Sequence, residues 1–340
     1  MENSVKILDN ISPDSIPFDM LFKANRPVIL KGLVSGWGLV KAGKVSAQKA
    51  MDVLLSHSSG KPVGVYIGAP ETKARFFYNQ DCTGFNYQSK YAALGDIFSH
   101  IRENIDNPNR SYCYMNSLTL DECFPGLRKD NDLSFKHSIF SNNQPLSKVW
   151  VGTESIAAAH YDVPSNLACC VLGKRRFTLF PPDQIHNLYP GPLEPTPGGQ
   201  VISMVDLKNP DFTRYPRVRS ALDSAVVVDL EPGDAVYYPS MWWHQVEALS
   251  PFNIMINFWW LMTAGHMGNP LDVVLHAMMA LRDRPESETR AWREIFEYYI
   301  FGSAETPREH LPVEAQGALA ELDNNGARQL RAYLKNKLNR

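Results

Sequence analysis

The sequence lacks the long hydrophobic runs that would place it in a membrane. No stretch of about 18 uninterrupted apolar residues occurs, and a transmembrane helix needs roughly that length. The first residues, Met1 to Lys6, also lack the apolar segment of a secretory signal peptide. We therefore expect neither a membrane-bound nor a secreted protein.

Cysteine is scarce and is not arranged in pairs. The chain has five cysteines, an odd number, and none of them forms a C-x-x-C pair. A disulfide framework or a zinc ribbon would need a different count and spacing. Reduced thiols fit this pattern better, and we expect a cytoplasmic protein. The cysteines are Cys82, Cys113, Cys123, Cys169 and Cys170.

An excess of basic charge is absent as well. The 34 lysines and arginines nearly balance the 36 aspartates and glutamates, giving a formal net charge of −2. A protein that binds nucleic acid usually has a basic surface, so we do not expect nucleic acid as the partner. The hydrophobic fraction of 44% is enough to fill the core of one large domain or two smaller ones in 340 residues.

Against this background, His160-Tyr161-Asp162 and the distant His244 stand out. Side chains alternate along a strand, so His160 and Asp162 would lie on the same side. Two imidazoles and one carboxylate can cover one face of Fe(II) and leave the other face open. Each element is ambiguous alone. The H-x-D pattern occurs by chance in many chains, and a histidine beside two tryptophans is often packed in the core.

The segments around these residues carry the stronger signal. Asn166 follows the H-x-D pattern, and His244 is preceded by a Pro-Gly-Asp turn and followed by an Asn-Phe-Trp strand. Together these segments resemble the JmjC/cupin-like oxygenases that use Fe(II) and 2-oxoglutarate. The similarity is greatest to the asparaginyl hydroxylase that inhibits hypoxia-inducible factor and to the hydroxylase of the tRNA base wybutosine. It covers about residues 15 to 262 and is strongest over 148 to 262. The segments are His160–Asn166, Gly173–Pro182, Pro232–His244 and Asn257–Trp259.

The resemblance implies a mainly β fold with flanking helices. Residues 111–262 would form a double-stranded β-helix of the jelly-roll or cupin type, and residues 1–110 a mixed α/β segment packed on it. Residues 267–340 show helical spacing of apolar side chains, and the last segment, Glu314 to Leu338, is predicted to be helical and charged. Related enzymes dimerise through such helices, so we expect a homodimer, with a helical cap on the chain's own barrel as the alternative.

The resemblance also assigns the site. His160, Asp162 and His244 would be the catalytic residues and the metal ligands, with 2-oxoglutarate and O2 as co-substrates. Tyr114 corresponds to a tyrosine that binds the 2-oxoglutarate carboxylate, although Tyr112 has the same strand phase. The further co-substrate residues implied are Asn166, Asn257 and either Lys174 or Arg175.

Two positions depart from the relatives. A lysine is expected 15 residues after the first histidine, but Arg175 stands there, with Lys174 beside it. Strand alternation allows only one of the two to face inward, and the register favours Arg175. Ala157 replaces a hydroxyl-bearing residue, so one hydrogen bond to the co-substrate is missing or comes from elsewhere. A buried Asn257 would need a partner, which could be the ligand or another side chain.

The predicted function is hydroxylation of a protein side chain, with a protein or peptide substrate favoured over a small molecule. Two alternatives stay open. One is the same chemistry on a small molecule, an RNA base or a methyl-lysine, and the other is a cupin that binds metal or ligand without oxidising anything. The proline-rich segment from Gly191 to Ser224 is too long for a tight hairpin, and we expect substrate contacts there.

Overall fold

Extended apolar segments dominate the chain as far as Met262, and helices follow. The computed structural model describes residues 5–141 and 143–339. It divides into two compact units, with the boundary between Met262 and Thr263. No helix within the described residues has the length and apolar character needed to span a membrane.

Strands and helices alternate in the first unit, and helices alone make the second. The strands are β1 (Lys6–Leu8), β2 (Val28–Leu30), β3 (Val63–Gly68), β4 (Arg75–Phe76), β5 (Tyr87–Ala92), β6 (Tyr112–Thr119), β7 (Leu146–Gly152), β8 (Ser155–Tyr161), β9 (Ser165–Leu172), β10 (Arg175–Phe180), β11 (Val226–Leu230), β12 (Ala235–Tyr238), β13 (Trp243–Ala248) and β14 (Asn253–Trp260). The helices are α1 (Phe18–Ala24), α2 (Gly38–Val45), α3 (Ala47–Ser56), α4 (Leu94–Asn104), α5 (Leu120–Cys123), α6 (Val218–Ser224), α7 (Pro270–Leu281), α8 (Glu286–Phe296) and α9 (Asn324–Leu338). Single 3-10 turns occur at Pro70–Thr72, Leu127–Asp130, Ser138–Phe140, Pro182–His186, Val313–Ala315 and Gly317–Leu319, and a π turn at Glu297–Phe301.

The described strands form two sheets. The larger sheet has the order β1-β2-β12-β9-β14-β7-β6-β3-β5, and the smaller sheet has the order β11-β10-β13-β8-β4. The β1–β2 and β4–β8 pairs are parallel, and the other neighbours are antiparallel. Phe177 and Val246 of the smaller sheet pack with Val236 and Met255 of the larger sheet in one buried cluster. This arrangement confirms the predicted double-stranded β-helix.

The first 110 residues are part of these sheets as well as packed on them. β1 and β2 extend one edge of the larger sheet, and β3 and β5 extend the other. The Ser46 hydroxyl caps α3 by accepting a hydrogen bond from the Lys49 backbone N at 3.1 Å. Leu39, Met51 and Phe98 of the covering helices are buried in the same cluster as strand residues of the larger sheet.

The proline-rich segment after Gly191 lies against the smaller sheet beside the predicted metal site. Ile202 pairs with His160 across an isolated bridge, and the Ser203 backbone N donates to the Ala159 carbonyl at 2.6 Å. Val205 and Val218 are buried with Trp243, which anchors the segment to the outer side of β13. The segment is therefore held against the sheet by contacts in its middle and towards its end.

The second unit is helical, as the periodicity predicts, but one predicted helix is wrong in its first part. Val313–Ala315 and Gly317–Leu319 are separate 3-10 turns, and α9 begins only at Asn324. Gly317 takes a positive φ of 51°, which interrupts the helical path. The Asp323 side chain caps α9 by accepting from the Gly326 backbone N at 2.7 Å.

Candidate metal centre

Two neighbouring strands of the smaller sheet bring the predicted metal ligands together. His160 lies near the end of β8, Asp162 follows that strand directly, and His244 on β13 is the register partner of His160. The imidazole centroids are 4.3 Å apart, and His244 Nε2 is 3.6 Å from Asp162 Oδ2. One ligand atom from each residue lies within 4.8 Å of the others.

Backbone hydrogen bonds fix both imidazole rings. His160 Nδ1 is 2.8 Å from the Ala158 carbonyl, and His244 Nδ1 is 3.0 Å from the Trp242 carbonyl. Because a carbonyl only accepts, each Nδ1 donates a proton, and in the neutral form of such a ring the Nε2 lone pair is free for a metal. Burial, followed by the neighbouring His160, lowers the pKa of His244 well below its usual value, so its ring is neutral.

The carboxylate completes a donor set that fits Fe(II). Burial raises the pKa of Asp162, while the neighbouring His160 and a hydrogen bond with Asn166 lower it. In the described part of the chain, no lysine or arginine forms an ion pair with Asp162. Two neutral imidazole nitrogens and one carboxylate oxygen are the ligands of non-haem Fe(II) centres. A bound metal cation would supply the positively charged partner that the buried Asp162 carboxylate lacks.

A cavity of about 130 Å³ opens beside these three residues. Six aromatic side chains contribute to its walls, which both sheets form. The segment after Gly191 contributes Pro197, Gly198, Gln200 and Ile202 to the same lining, and the substrate contacts expected in this segment stay a prediction. The aromatic side chains in the wall are Tyr66, Phe76, Tyr114, Trp150, Tyr238 and Trp259.

Arg175 faces this cavity and Lys174 does not. Arg175 is 3% exposed, its Nε has no hydrogen-bond partner, and it forms no ion pair with any described carboxylate. Burial lowers its pKa, but a guanidinium stays charged in proteins. Lys174 lies on the surface, where its Nζ is 2.8 Å from Glu231 Oε1. The structure therefore does not bring Lys174 into the site, because β10 begins with Arg175 pointing inward.

Tyr114 lies on β6 within the cavity, whereas Tyr112 is not among the lining residues. Burial raises the pKa of Tyr114, and the charge of Arg175 opposes that shift. The hydroxyl therefore stays protonated and can donate a hydrogen bond to an anion. Its ring stacks on Trp150 at a centroid distance of 6.1 Å.

Asn166 and Asn257 lie in the site but bond to other side chains of the protein. Asn257 Nδ2 donates to Asn166 Oδ1 at 3.2 Å, and Asn257 Oδ1 accepts from Trp150 Nε1 at 2.7 Å. Asn166 also lowers the pKa of Asp162. Of the two partners that the sequence left open for Asn257, the structure shows another side chain.

Ser155 is a cavity residue that the sequence analysis missed. The register between β8 and β13 shifts between the His244–His160 and Val246–Ala157 pairs. This bulge puts Ser155 and Ala157 on the cavity side together with His160, although strict alternation from His160 would turn them away. The Ser155 hydroxyl forms no hydrogen bond with the described residues. It can supply the hydroxyl that Ala157 lacks.

Comparisons with known proteins agree with this geometry. A family model described as a cupin-like domain matches residues 14–266, well over half of the chain. Lysine-specific demethylase JMJ31 of Arabidopsis thaliana is 35% identical over 124 residues, 36% of this chain and 22% of that protein. HSPB1-associated protein 1 of Homo sapiens is 32% identical over 154 residues, 44% of this chain and 31% of that protein.

A longer match covers more than two thirds of the chain. Jumonji C domain-containing protein 5 of Drosophila melanogaster is 26% identical over 248 residues, 70% of this chain and 55% of that protein. The matched regions thus span from about a fifth to about half the length of these relatives. With its cupin-like domain and its His-Asp-His cluster, the chain belongs to the JmjC/cupin-like family of oxygenases, whose members generally use Fe(II) and 2-oxoglutarate.

Proposed function

We propose that this chain is an Fe(II)- and 2-oxoglutarate-dependent hydroxylase that oxidises a C–H bond of a protein side chain. The observation that carries the proposal is a buried Arg175 with no carboxylate partner, in one cavity with His160, Asp162 and His244. An unpaired buried charge is costly, and a dicarboxylate bound in the cavity would remove that cost.

Each of these residues has a distinct role. His160, Asp162 and His244 would hold Fe(II) through their free Nε2 and carboxylate atoms. Arg175 would pair with the distal carboxylate of 2-oxoglutarate, because a guanidinium matches a carboxylate with two parallel hydrogen bonds. The protonated Tyr114 hydroxyl would add a further donor beside that carboxylate.

When bound, Fe(II) with 2-oxoglutarate and O2 supplies the oxidation of a substrate C–H bond to C–OH, with release of succinate and CO2. The protein contributes position and shielding. The aromatic side chains of the cavity would limit the access of water to a bound ligand, which would strengthen the pairing of Arg175 with an anion. Trp150 and Trp259 also line the cavity, and they would limit which part of a substrate can approach.

The size of the cavity favours a side chain over a whole small molecule. About 130 Å³ corresponds to roughly ten water-sized spheres, so 2-oxoglutarate with its ten non-hydrogen atoms would take most of the space. What remains suits the tip of a larger substrate. Asn116, Ser117 and Gln200 face the cavity, and their side chains form no hydrogen bonds with the described residues. They are available for polar groups of a peptide.

Demethylation of a methyl-lysine is the second candidate. Tyr66 and Phe76 contribute to the aromatic wall, and aromatic faces attract alkylammonium groups. One relative of this chain is named a lysine-specific demethylase. The products separate the two reactions, because a hydroxylated peptide gains one oxygen atom whereas a demethylated peptide loses a methyl group as formaldehyde.

The first experiment tests the oxygenase itself. Fe(II) and 2-oxoglutarate are added to the purified chain without O2, and the visible charge-transfer band is recorded. O2 is then admitted and succinate is assayed, with His160→Ala as the control. We expect both signals in the wild type and neither in the variant. A metal-loaded wild type that shows neither signal would contradict the oxygenase and favour the non-oxidising cupin.

We also propose that the second unit forms a homodimer. Its helices leave large apolar side chains exposed, including Met279 at 74% and Phe301 at 72%, and aromatic residues are enriched in interface cores. Trp292→Glu and Phe296→Glu should reduce the mass in solution to that of one chain, as measured by light scattering. An unchanged dimer in both variants would contradict this interface.

A further inference from the structure

A chain of hydrogen bonds leads from one tryptophan to an asparagine beside the carboxylate of the candidate metal centre. Trp150 Nε1 donates to Asn257 Oδ1 at 2.7 Å, and Asn257 Nδ2 donates to Asn166 Oδ1 at 3.2 Å. Asn166 lines the same cavity as Asp162, and its side chain lowers the pKa of that carboxyl. Asn166, Asn257 and Asp162 are all buried, so water does not compete well with these bonds.

The register of the larger sheet produces this arrangement. β7, β14 and β9 are neighbours in that order. Trp150 is opposite Met255, two residues before Asn257, and Asn166 is opposite Trp259, two residues after Asn257. The three side chains therefore lie diagonally on one face of the sheet, where long side chains are within reach of one another.

The chemistry of the two ends fixes the direction of every bond in the chain. An indole N–H can only donate, and an ionised carboxylate can only accept. Asn257 must therefore present its oxygen to Trp150 and its amide N–H to Asn166. Asn166 in turn must present its oxygen to Asn257 and its amide N–H to Asp162. Both amides are held in one orientation, although each could otherwise rotate by half a turn.

We propose that Trp150 is a positioning residue for the metal ligand Asp162, acting through Asn257 and Asn166. This inference rests on the proposed function in that it takes Asp162 as a ligand. By holding one side of the Asp162 carboxylate, these hydrogen-bonded side chains direct its remaining lone pairs towards the metal that His160 and His244 would share. It also gives both asparagines a role without contact to 2-oxoglutarate, because their amides are already engaged. Outer partners of this kind typically change metal affinity by about 10- to 100-fold.

The test measures metal binding and not turnover. Trp150→Phe removes the N–H and keeps an aromatic ring, and Trp260→Phe on β14 is the matched control. Trp260 is buried, does not line the cavity, and its Nε1 has no partner. Co(II) is titrated into the purified full chain without 2-oxoglutarate, and its visible absorption is followed. We expect Trp150→Phe to weaken Co(II) binding about 10-fold and to change the spectrum, with Trp260→Phe unchanged in both.

A second variant removes the middle link. Asn257→Leu has a similar shape and no polar atoms, so we expect it to weaken Co(II) binding at least as much as Trp150→Phe. Thermal unfolding of each metal-free variant confirms that the folded protein is titrated. Wild-type affinity and spectrum in either folded variant would overturn the positioning role. A wild type that binds Co(II) but forms no succinate would contradict the hydroxylase and leave the positioning role standing.

Discussion

Replacing Arg175 by glutamine should weaken the binding of 2-oxoglutarate, while the stability of the ligand-free protein stays the same or increases. Arg175 is 3% exposed, and its Nε has no partner. Without a ligand, a buried unpaired donor costs about 1–3 kcal/mol of stability. Arg175→Gln removes the charge and most of the donors. The free energy of unfolding of the ligand-free protein should therefore stay the same or rise by up to about 1 kcal/mol.

The same substitution should weaken 2-oxoglutarate binding severely. Removing one partner of a buried charge pair typically costs 3–5 kcal/mol. Taking the lower end, and about 1.4 kcal/mol for each factor of ten, the dissociation constant should rise by at least about 100-fold. Arg175→Lys keeps the charge but loses the planar pair of donors, so we expect a smaller loss of about 10-fold.

Lys174 provides the matched control for this prediction. It precedes Arg175 directly, and its side chain is 63% exposed in a surface pair with Glu231. Such pairs contribute about 0–1 kcal/mol, so Lys174→Gln should change neither property measurably. Binding is followed by the anaerobic charge-transfer band, and stability by urea unfolding. The reasoning would be refuted by 2-oxoglutarate binding in Arg175→Gln within twofold of the wild type, or by a loss of stability above about 1 kcal/mol.

Three further predictions concern the surroundings of the site. Ser155→Ala should weaken 2-oxoglutarate binding about 10-fold, the value of one hydrogen bond to a charged group, and unaltered binding in the anaerobic titration would remove Ser155 from the site. Gly173 has a φ of 78°, and an added Cβ would lie 2.3 Å from Asn253 Oδ1, so Gly173→Ala should lower stability by about 1–3 kcal/mol in urea unfolding. Burial raises the pKa of the Cys170 thiol to about 12, so at pH 8 it should resist alkylation until the protein unfolds, as checked by mass spectrometry against the half-buried Cys82.

The sequence predicted the His-Asp-His cluster because two of its members follow a simple rule. His160 and Asp162 are two residues apart on extended backbone, and the resemblance added His244. Strand alternation also selected Arg175 over Lys174, since β10 is regular from its first residue. By contrast, the hydroxyl of Ser155 could not be placed, because the bulge in β8 depends on pairing with β13 and leaves no local pattern.

Other features depend on contacts that are remote in sequence. Residues 1–110 were predicted to pack on the barrel, but β3 and β5 join the larger sheet through pairing with β6, which no local pattern reveals. The proposed role of Trp150 depends on the register of β7, β14 and β9, which lie far apart between residues 146 and 260 of the sequence. In the second unit, the predicted helical segment begins before α9 does. The charged helical pattern includes residues that precede Asp323, whereas the side chain of Asp323 caps α9 and marks its start.

The polar groups of the cavity fall into two classes, and the difference outlines the ligand. Asn257 and Asn166 are costly to bury in an apolar strand environment, but each is satisfied by the protein, so neither needs a ligand. Arg175 Nε and Trp259 Nε1 face the same cavity without a hydrogen-bond partner among the described residues, and Ser155 lines it as well. Because buried polar groups are nearly always paired in functional proteins, the unpaired Arg175 supports the proposal that an anion binds there. The paired asparagines instead lead towards Asp162, the proposed metal ligand, so the paired and the unpaired groups support different parts of the proposed site.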